Sequence, residues 1–551
     1  MVLCGTIGYE SVCAHRSVRH FAERAAALGF PAMRFHYDGI GDSAGTEHDP
    51  GRWEAWQQSV LEAVRELRLV TGVPSVCLSG IRLGALIANA AARRSSDVVG
   101  LALLAGSPSG RAWLREMRAW RATQNLAEAP RDLAPPPGVD TELAFDLPVD
   151  ARDNLVAETL EVGAQAKVPK VLIIDRADRP PLGSLVERLR TSGASVEHAV
   201  LPGFVEMLLD PHESIVPAGV VETWARWLDR TFPAAAADGQ PPALAGPASG
   251  PAVVSPGVEE QAHRFGDGAR LFGITSASFG VRPQKALLLL NSGGIHRIGL
   301  GSLYVKLARR LAARGWLVLR YDASGIGDSL SHPGAEENVV YSPHAVADLR
   351  AAIDFLRARY DLRRIEAIGL CSGAYHAFKG AVSGLPLTGI VVANPLVFFW
   401  KEGMSLKYPA HEVVQAAAEY RRSVFQPAKW LKLLREQRDL VPMVAVVGRR
   451  LLDAGRAIAH DAARILRISL ADDLAAEVDA VVRRGVALRF VFSEGDPGEA
   501  LLRAGVGSRL RRLERKGVLR VDHLPGCDHS LSLSWMHEAL WRLLVRSLDG
   551  P

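Results

Sequence analysis

Residues 18–45, VRHFAERAAALGFPAMRFHYDGIGDSAG, are repeated at 304–331 as YVKLARRLAARGWLVLRYDASGIGDSLS, and no other feature limits the fold as strongly. Each copy reads as an amphipathic helix, a glycine at its end, a short apolar strand and a turn closing on Gly-Ile-Gly-Asp-Ser. Two further stretches keep the same order. SVCLSGIRLGA at 75–85 parallels RIEAIGLCSGA at 364–374, and LPGFVE at 201–206 parallels LPGCDH at 524–529. The offset grows from 286 residues at the first match to 323 at the last, so the second copy carries a larger insertion. Strands alternating with helices at this rhythm predict βαβ units on a mostly parallel sheet. A unit this long, present twice, is a tandem duplication and not a solenoid.

The copies are separated by residues 233–257, PAAAADGQPPALAGPASGPAVVSPG, which hold one charged residue and cannot bury a core. We therefore expect domains at 1–232 and 258–551 with a Pro/Ala/Gly-rich linker at 233–257. After the linker, 259–275 alternates like a β-hairpin turning at Gly266-Asp-Gly268. The first copy has no counterpart. Either its sheet lacks the leading hairpin, or the true start lies upstream of Met1.

Composition removes several classes. Of 551 residues 48% are hydrophobic and 23% charged, which excludes a disordered or collagen-like chain. The formal charge of +5 comes from scattered arginines, with no basic block interleaved with aromatics, so no nucleic-acid partner is expected. Five cysteines without a CxxC pair suggest neither a disulfide framework nor a zinc site. The chain shows no signal peptide and no apolar run of membrane-spanning length, so we expect a cytoplasmic protein without metal or organic cofactor.

The chemistry is expected in the second copy. IGLCSGA places Cys371 at a strand-to-helix turn with Gly369 two residues before it and Gly373 two after, the spacing of a nucleophile elbow. Ser372 is the rival nucleophile, but Leu370 at its minus-two position would crowd the turn. An acid and a base should follow in chain order. Asp496 ends the strand ALRFVFSEGD and His529 follows the strand VLRVDHLPGCDH, both at strand carboxyl ends. Asp496 would orient His529, which would hold Cys371 as a thiolate or take its proton. Glu494 is the alternative acid, and Asp528 and His523 read as loop solvation. Oxyanion donors should be the Ser372 N–H and one from the loop 291–296, where Gly293 and Gly294 admit close approach. Gly-Ile-Gly-Asp-Ser lacks the lysine of a phosphate-binding loop and reads as a turn.

In the first copy the same positions hold Arg82, Asp178 and Glu206. An arginine cannot attack a carbonyl. We expect Arg82 and Glu206 to form a buried ion pair, with Asp178 joining it, in a copy that has lost catalysis. His212 has no nucleophile to act on.

RYDASGIGDS, GLCSGAYHAFK, NPLVFFWKEGMS and LPGCDHSLS in the second copy, and HRSVRHFAERAAALGF, GIRLGA and GFVEMLLDPHES in the first, together resemble the α/β-hydrolase superfamily. Within it they are similar to the serine-aminopeptidase-like branch, and to the hydrolases found with bacterial exosortase and exopolysaccharide systems. The resemblance implies two tandem α/β-hydrolase domains, each a mostly parallel sheet flanked by helices, with a helical cap at about 395–484 in the second. It puts the family's nucleophile on Cys371, its acid on Asp496 and its base on His529. Cysteine in place of serine suits esters or thioesters better than peptides. Phe398, Phe399 and Trp400 either line an acyl pocket or bury the cap against the core. The implied function is hydrolysis of a small-molecule acyl ester or thioester, carrier- or CoA-linked substrates included, through an acyl-cysteine. Acyl transfer to an alcohol or amine by the same triad, and a non-enzymatic scaffold, are the alternatives, with contact between the copies open.

Overall fold

The computed structural model describes residues 1–124, 126–160, 168–232, 250–401, 403–404 and 472–548. Its contacts divide the chain into two compact units. One comprises Met1–Val340, Asp354–Arg363 and Ser530–Pro551, and the other Tyr341–Ile353 and Arg364–His529. Packing therefore cuts the chain elsewhere than the repeat does.

The first unit contains a six-stranded sheet of β1 (Val2–Cys4), β2 (Met33–Arg34), β3 (Val76–Ile81), β4 (Val98–Leu104), β7 (Lys170–Arg176) and β8 (Ser195–Leu201). Their order is β2-β1-β3-β4-β7-β8 and every neighbouring pair is parallel. Between β4 and β7 lies a small antiparallel hairpin, β5 (Val139–Glu142) with β6 (Phe145–Pro148). All six residues of β3 are buried, the pattern of a strand covered by helices on both faces. One face packs on Val60, Val64, Leu86 and Trp113, the other on Phe21, Trp224 and Trp227.

The same unit holds β9 (Ala252–Ser255), β10 (Val258–Phe265), β11 (Leu271–Ser278), β12 (Lys285–Leu290) and β13 (Leu317–Asp322). Strands β10 and β11 form the expected hairpin around Gly266–Gly268. Residues 252–255, read from composition as the end of the linker, add β9 to its edge. The β-branched pair Val253-Val254 finds an unpaired strand there. β11 also runs antiparallel to β13, and β13 parallel to β12.

The second unit is built on β14 (Arg364–Leu370), β15 (Gly389–Ala393), β16 (Ala487–Ser493) and β17 (Leu519–Leu524), all parallel in that order. Phe378, on the helix Ser372–Val382, packs with Phe398 and Phe490 beside this sheet. Most of the expected cap, 405–471, lies outside the described residues. Its last helix, Leu474–Arg483, is tied to Lys379 by Glu477 at 2.7 Å. No helix among the described residues is long and apolar enough to cross a membrane.

Both Gly-Ile-Gly-Asp-Ser stretches are turns. Ile40 N–H donates to Tyr37 O and Ser43 N–H to Ile40 O, and Ile326 and Ser329 repeat the pattern with Ala323 and Ile326. The second motif glycine is required in each. A side chain on Gly41 would meet His36 at 2.7 Å, and one on Gly327 would meet Asp322 at 2.3 Å.

Candidate active site

Strand β14 ends at Leu370, and the helix Ser372–Val382 starts two residues later. Cys371 bridges them at φ 57°, ψ −116°, a conformation that side-chain-bearing residues rarely adopt. The flanking glycines are compulsory, since a Cβ on Gly369 would lie 2.0 Å from the Gly373 backbone. Of the five cysteines, Cys371 alone is not buried. Burial pushes the Cys77 and Cys527 thiols up to about 12, so they stay protonated and inert near neutrality.

His529 arrives on the loop after β17. Its Nδ1 is 2.7 Å from Asp496 Oδ2. Its other nitrogen, Nε2, is buried and has no hydrogen-bond partner among the described residues. Burial works to lower the His529 pKa, but the Cys371 sulfur and the Asp496 carboxylate more than offset it and carry the value up to about 10. Asp496 serves two tasks. Oδ1 accepts from Gly498 N–H at 2.9 Å, capping the helix Pro497–Val506, while Oδ2 holds the imidazole. Glu494, the alternative acid, instead accepts from Gly526 N–H at 2.8 Å. His523 pairs with Glu499, 3.1 Å away on the surface.

Three residues near this group had no signal in the sequence. Asn394, buried at φ 46°, follows β15. Its Oδ1 accepts from Ser493 N–H, and its Nδ2 donates to Ser493 Oγ and to the His529 carbonyl, each at 2.8 Å. Ser493 Oγ in turn donates to Asp528 O at 2.7 Å. Tyr341 stacks on Trp400 with ring centroids 4.3 Å apart and meets the edge of Tyr375 at 5.2 Å. The Tyr341 hydroxyl is buried without a hydrogen-bond partner among the described residues. Burial raises its pKa, and the Cys371 sulfur raises it further, so the two groups feel one another. His376, next to Tyr375 on the elbow helix, also has a buried, unpartnered Nε2, and burial drives its pKa down to about 4. The aromatic run 398–400 divides: Phe398 enters the core, and Trp400 faces Tyr341.

Gly293, at φ 57°, and Gly294 follow β12 in the first unit. A side chain on Gly294 would meet Asn338 Oδ1 at 2.5 Å and Pro211 O at 2.8 Å, so protein backbone uses the space that glycine leaves.

In the first copy the elbow persists without its chemistry. Arg82 has φ 54°, ψ −118°, nearly the angles of Cys371. The expected pairing with Glu206 does not form. Arg82 Nε donates to Glu10 Oε1 at 2.8 Å and Nη2 to Glu116 Oε2 at 2.5 Å. Glu10 is itself buried and accepts from Trp113 Nε1 at 3.0 Å and Thr6 Oγ1 at 2.8 Å. Burial opposes the charge on Arg82, but the two glutamates outweigh it and raise the pKa. Glu206 is exposed on the short helix Phe204–Met207, and Asp178 forms a surface pair with Arg176 at 2.6 Å. Glu10 lies 72 residues before Arg82 in a helix, so only the tertiary fold makes it the nearer acid.

Glu47, His48 and Asp146 converge closely enough to hold a cation, but the Lys306 ammonium sits 2.7 Å from Glu47 and already supplies the positive charge.

Residues 282–445 match the family described as serine aminopeptidase, S33. The uncharacterized protein YcjY of Escherichia coli (strain K12) is 32% identical over 103 residues, 18% of this chain and 32% of that protein. The match thus spans about a third of the curated relative's length. Among solved structures, the dienelactone hydrolase-like promiscuous phosphotriesterase P91 from metagenomic libraries is 14% identical, over 53% of this chain and 97% of that one, with a TM-score of 0.31. TT1662 from Thermus thermophilus is 15% identical over 53% and 99%, also with a TM-score of 0.31.

Proposed function

We propose that the second copy, whose residues 282–445 match the serine aminopeptidase, S33 family, is an α/β hydrolase that cleaves an acyl ester or thioester through an acyl-cysteine on Cys371. The observation that carries this reading is the imidazole of His529, held at 2.7 Å by Asp496 with its other nitrogen left open, and raised in pKa by the charge of the Cys371 sulfur. A cysteine nucleophile with its base and an orienting acid is sufficient for acyl transfer chemistry.

In the acylation step the Cys371 sulfur attacks the substrate carbonyl carbon and a C–S bond forms. The tetrahedral oxyanion is met by the Ser372 N–H at the start of the elbow helix and by the Tyr341 hydroxyl. Collapse breaks the bond to the leaving group, which takes the proton from His529 Nε2. In deacylation His529 accepts a proton from water, the hydroxide attacks the thioester carbon, and the C–S bond breaks to release the acid and restore the thiolate-imidazolium pair. Asp496 keeps Nδ1 as the bonded nitrogen throughout, so Nε2 is always the one that exchanges protons. The first copy has at its elbow an arginine engaged by Glu10 and Glu116, which cannot serve as a nucleophile, so it takes no part in this cycle.

The test is trapping of the intermediate. Wild type is mixed with a p-nitrophenyl ester or an acyl thioester, quenched in acid and mapped by mass spectrometry. The expected result is one acyl group on the peptide containing Cys371, absent in Cys371→Ala and His529→Ala. Acyl on Ser372, or turnover unaffected by Cys371→Ala, would overturn the assignment.

A further inference from the structure

The Gly-Ile-Gly-Asp-Ser motif has no part in the site above, yet its two copies meet. Arg34 Nη2, at the end of β2, donates to Asp328 Oδ1 at 2.6 Å. Arg320, on β13, pairs with Asp42. Arg34 and Arg320 stand 286 residues apart, and so do Asp42 and Asp328. Each copy thus offers its arginine to the other's aspartate. The exchange repeats further out. His20 is 3.1 Å from Glu337, and Lys306 is 2.7 Å from Glu47. His20 and Lys306 are again 286 residues apart, whereas Glu47 and Glu337 are 290 apart, five residues after Asp42 and nine after Asp328, so the outer exchange is similar without being residue-for-residue. Between these pairs Val12 and Ile298, equivalent at the same offset, share a buried apolar cluster with Cys13, Leu300 and Val305. A single guanidinium, Arg297, touches both motif aspartates, Asp42 at 2.6 Å and Asp328 at 2.8 Å. All of these residues belong to the first compact unit.

Contacts in which i meets j′ while j meets i′ are the mark of a two-fold axis. Two unrelated surfaces have no reason to pair equivalent residues, and here two ion pairs and one apolar contact do so together. We infer that the two copies dock as the subunits of an isologous dimer do, the first copy serving as a built-in partner for the second. This gives the motif a task, since its turn presents an aspartate to the other copy, and it gives the arginine-bearing copy a task that needs no catalysis. Arg320 is fully buried and Arg297 nearly so; each also has a carboxylate of its own copy, Glu260 at 2.9 Å and Asp322 at 2.9 Å, so losing a motif aspartate removes the cross-copy share of a buried charge network. Such pairs set partner and register more than they add raw affinity.

The inference requires that the covalent link be dispensable. A protease site placed within residues 233–249 of the full chain allows the link to be cut after folding. The expected result is that the two fragments still elute together at the mass of the uncut chain. Asp42→Arg alone sets a guanidinium against Arg297 and Arg320 and should weaken the fragments' association by about 100-fold or more. The charge reversal is tested at the outer pair, where Lys306→Glu or Glu47→Lys alone should weaken association by about 10-fold and the two together should recover most of it, in a partly exposed place where misfolding is less of a hazard. Fragments that separate while each keeps its circular dichroism, or a swap that recovers nothing relative to the single changes, would overturn the two-fold docking.

Discussion

The side-chain amide of Asn394 donates to the main-chain carbonyl of His529 at 2.8 Å, and its oxygen takes the Ser493 N–H at the same distance. The proposed base is thus positioned from both ends. Asp496 fixes its ring, and Asn394 fixes its backbone.

Asn394→Ala should leave the buried Ser493 N–H without an acceptor, at about 1–3 kcal/mol of stability. It should also let the 528–529 loop drift. We expect kcat to fall about 10- to 100-fold with KM nearly unchanged. A purely structural role would move the melting temperature alone, and steady-state kinetics beside calorimetry separate the two.

Asp496→Asn keeps an oxygen for the Gly498 cap but removes the charge facing His529 Nδ1. In the wild type His529 holds its proton up to about pH 10, so activity should fall as pH rises through that value and the leaving group loses its acid. With the carboxylate gone the imidazolium is less stabilised, and the alkaline limb should move to lower pH. The rate should drop by about 10²- to 10⁴-fold. A limb that stays in place would remove Asp496 from the triad.

Tyr341→Phe deletes a hydroxyl that has no hydrogen-bond partner among the described residues, so folding should be unaffected or slightly improved. If that hydroxyl meets the oxyanion, kcat should fall about 10- to 1000-fold. Alkylation of Cys371 by iodoacetamide builds no oxyanion, so its rate should not change. Equal losses in both assays would assign Tyr341 to the thiol and not to the substrate.

Arg82→Met removes the cation that buried Glu10 pairs with, while Glu116 keeps Arg176 and Arg179. The loss should be about 3–5 kcal/mol, the usual result of stranding one member of a buried pair. Activity per folded molecule should persist. Arg82→Cys, by contrast, should not create a second reactive site, because the groups that meet the side chain at that elbow are the carboxylates Glu10 and Glu116, which disfavour a thiolate. Thermal unfolding and thiol titration test both statements.

Acid should loosen the junction of the two copies. His20 and Arg19 hold the Glu337 carboxylate down to about 2, and Arg297 and Arg320 keep Asp42 well below the usual range against the pull of burial. These groups are ionised more readily folded than unfolded, so their contribution is complete above about pH 4.5 and is lost as pH falls towards 2. Cleaved chain should therefore separate on acidification before either fragment unfolds, as light scattering and circular dichroism would record.

Much of this protein could be read without coordinates because its determinants are local. A glycine on either side of Cys371 is demanded by backbone contact within one turn. The helix–strand–turn rhythm of the repeat needs nothing beyond periodicity, and chain order alone put Asp496 and His529 after the elbow. What sequence could not weigh was competition between distant groups. Arg82 had an acid at the expected position, Glu206, but a helix 72 residues upstream brought Glu10 into the core first. A desolvated guanidinium goes to whichever carboxylate the packing leaves beside it, and only the fold decides which that is. The same holds for Tyr341 and Asn394, ordinary residues in the chain that matter because of what surrounds them. It holds most for the two motif aspartates. Each looks like part of a turn, and only tertiary structure shows that each turn was presenting its charge to the other copy.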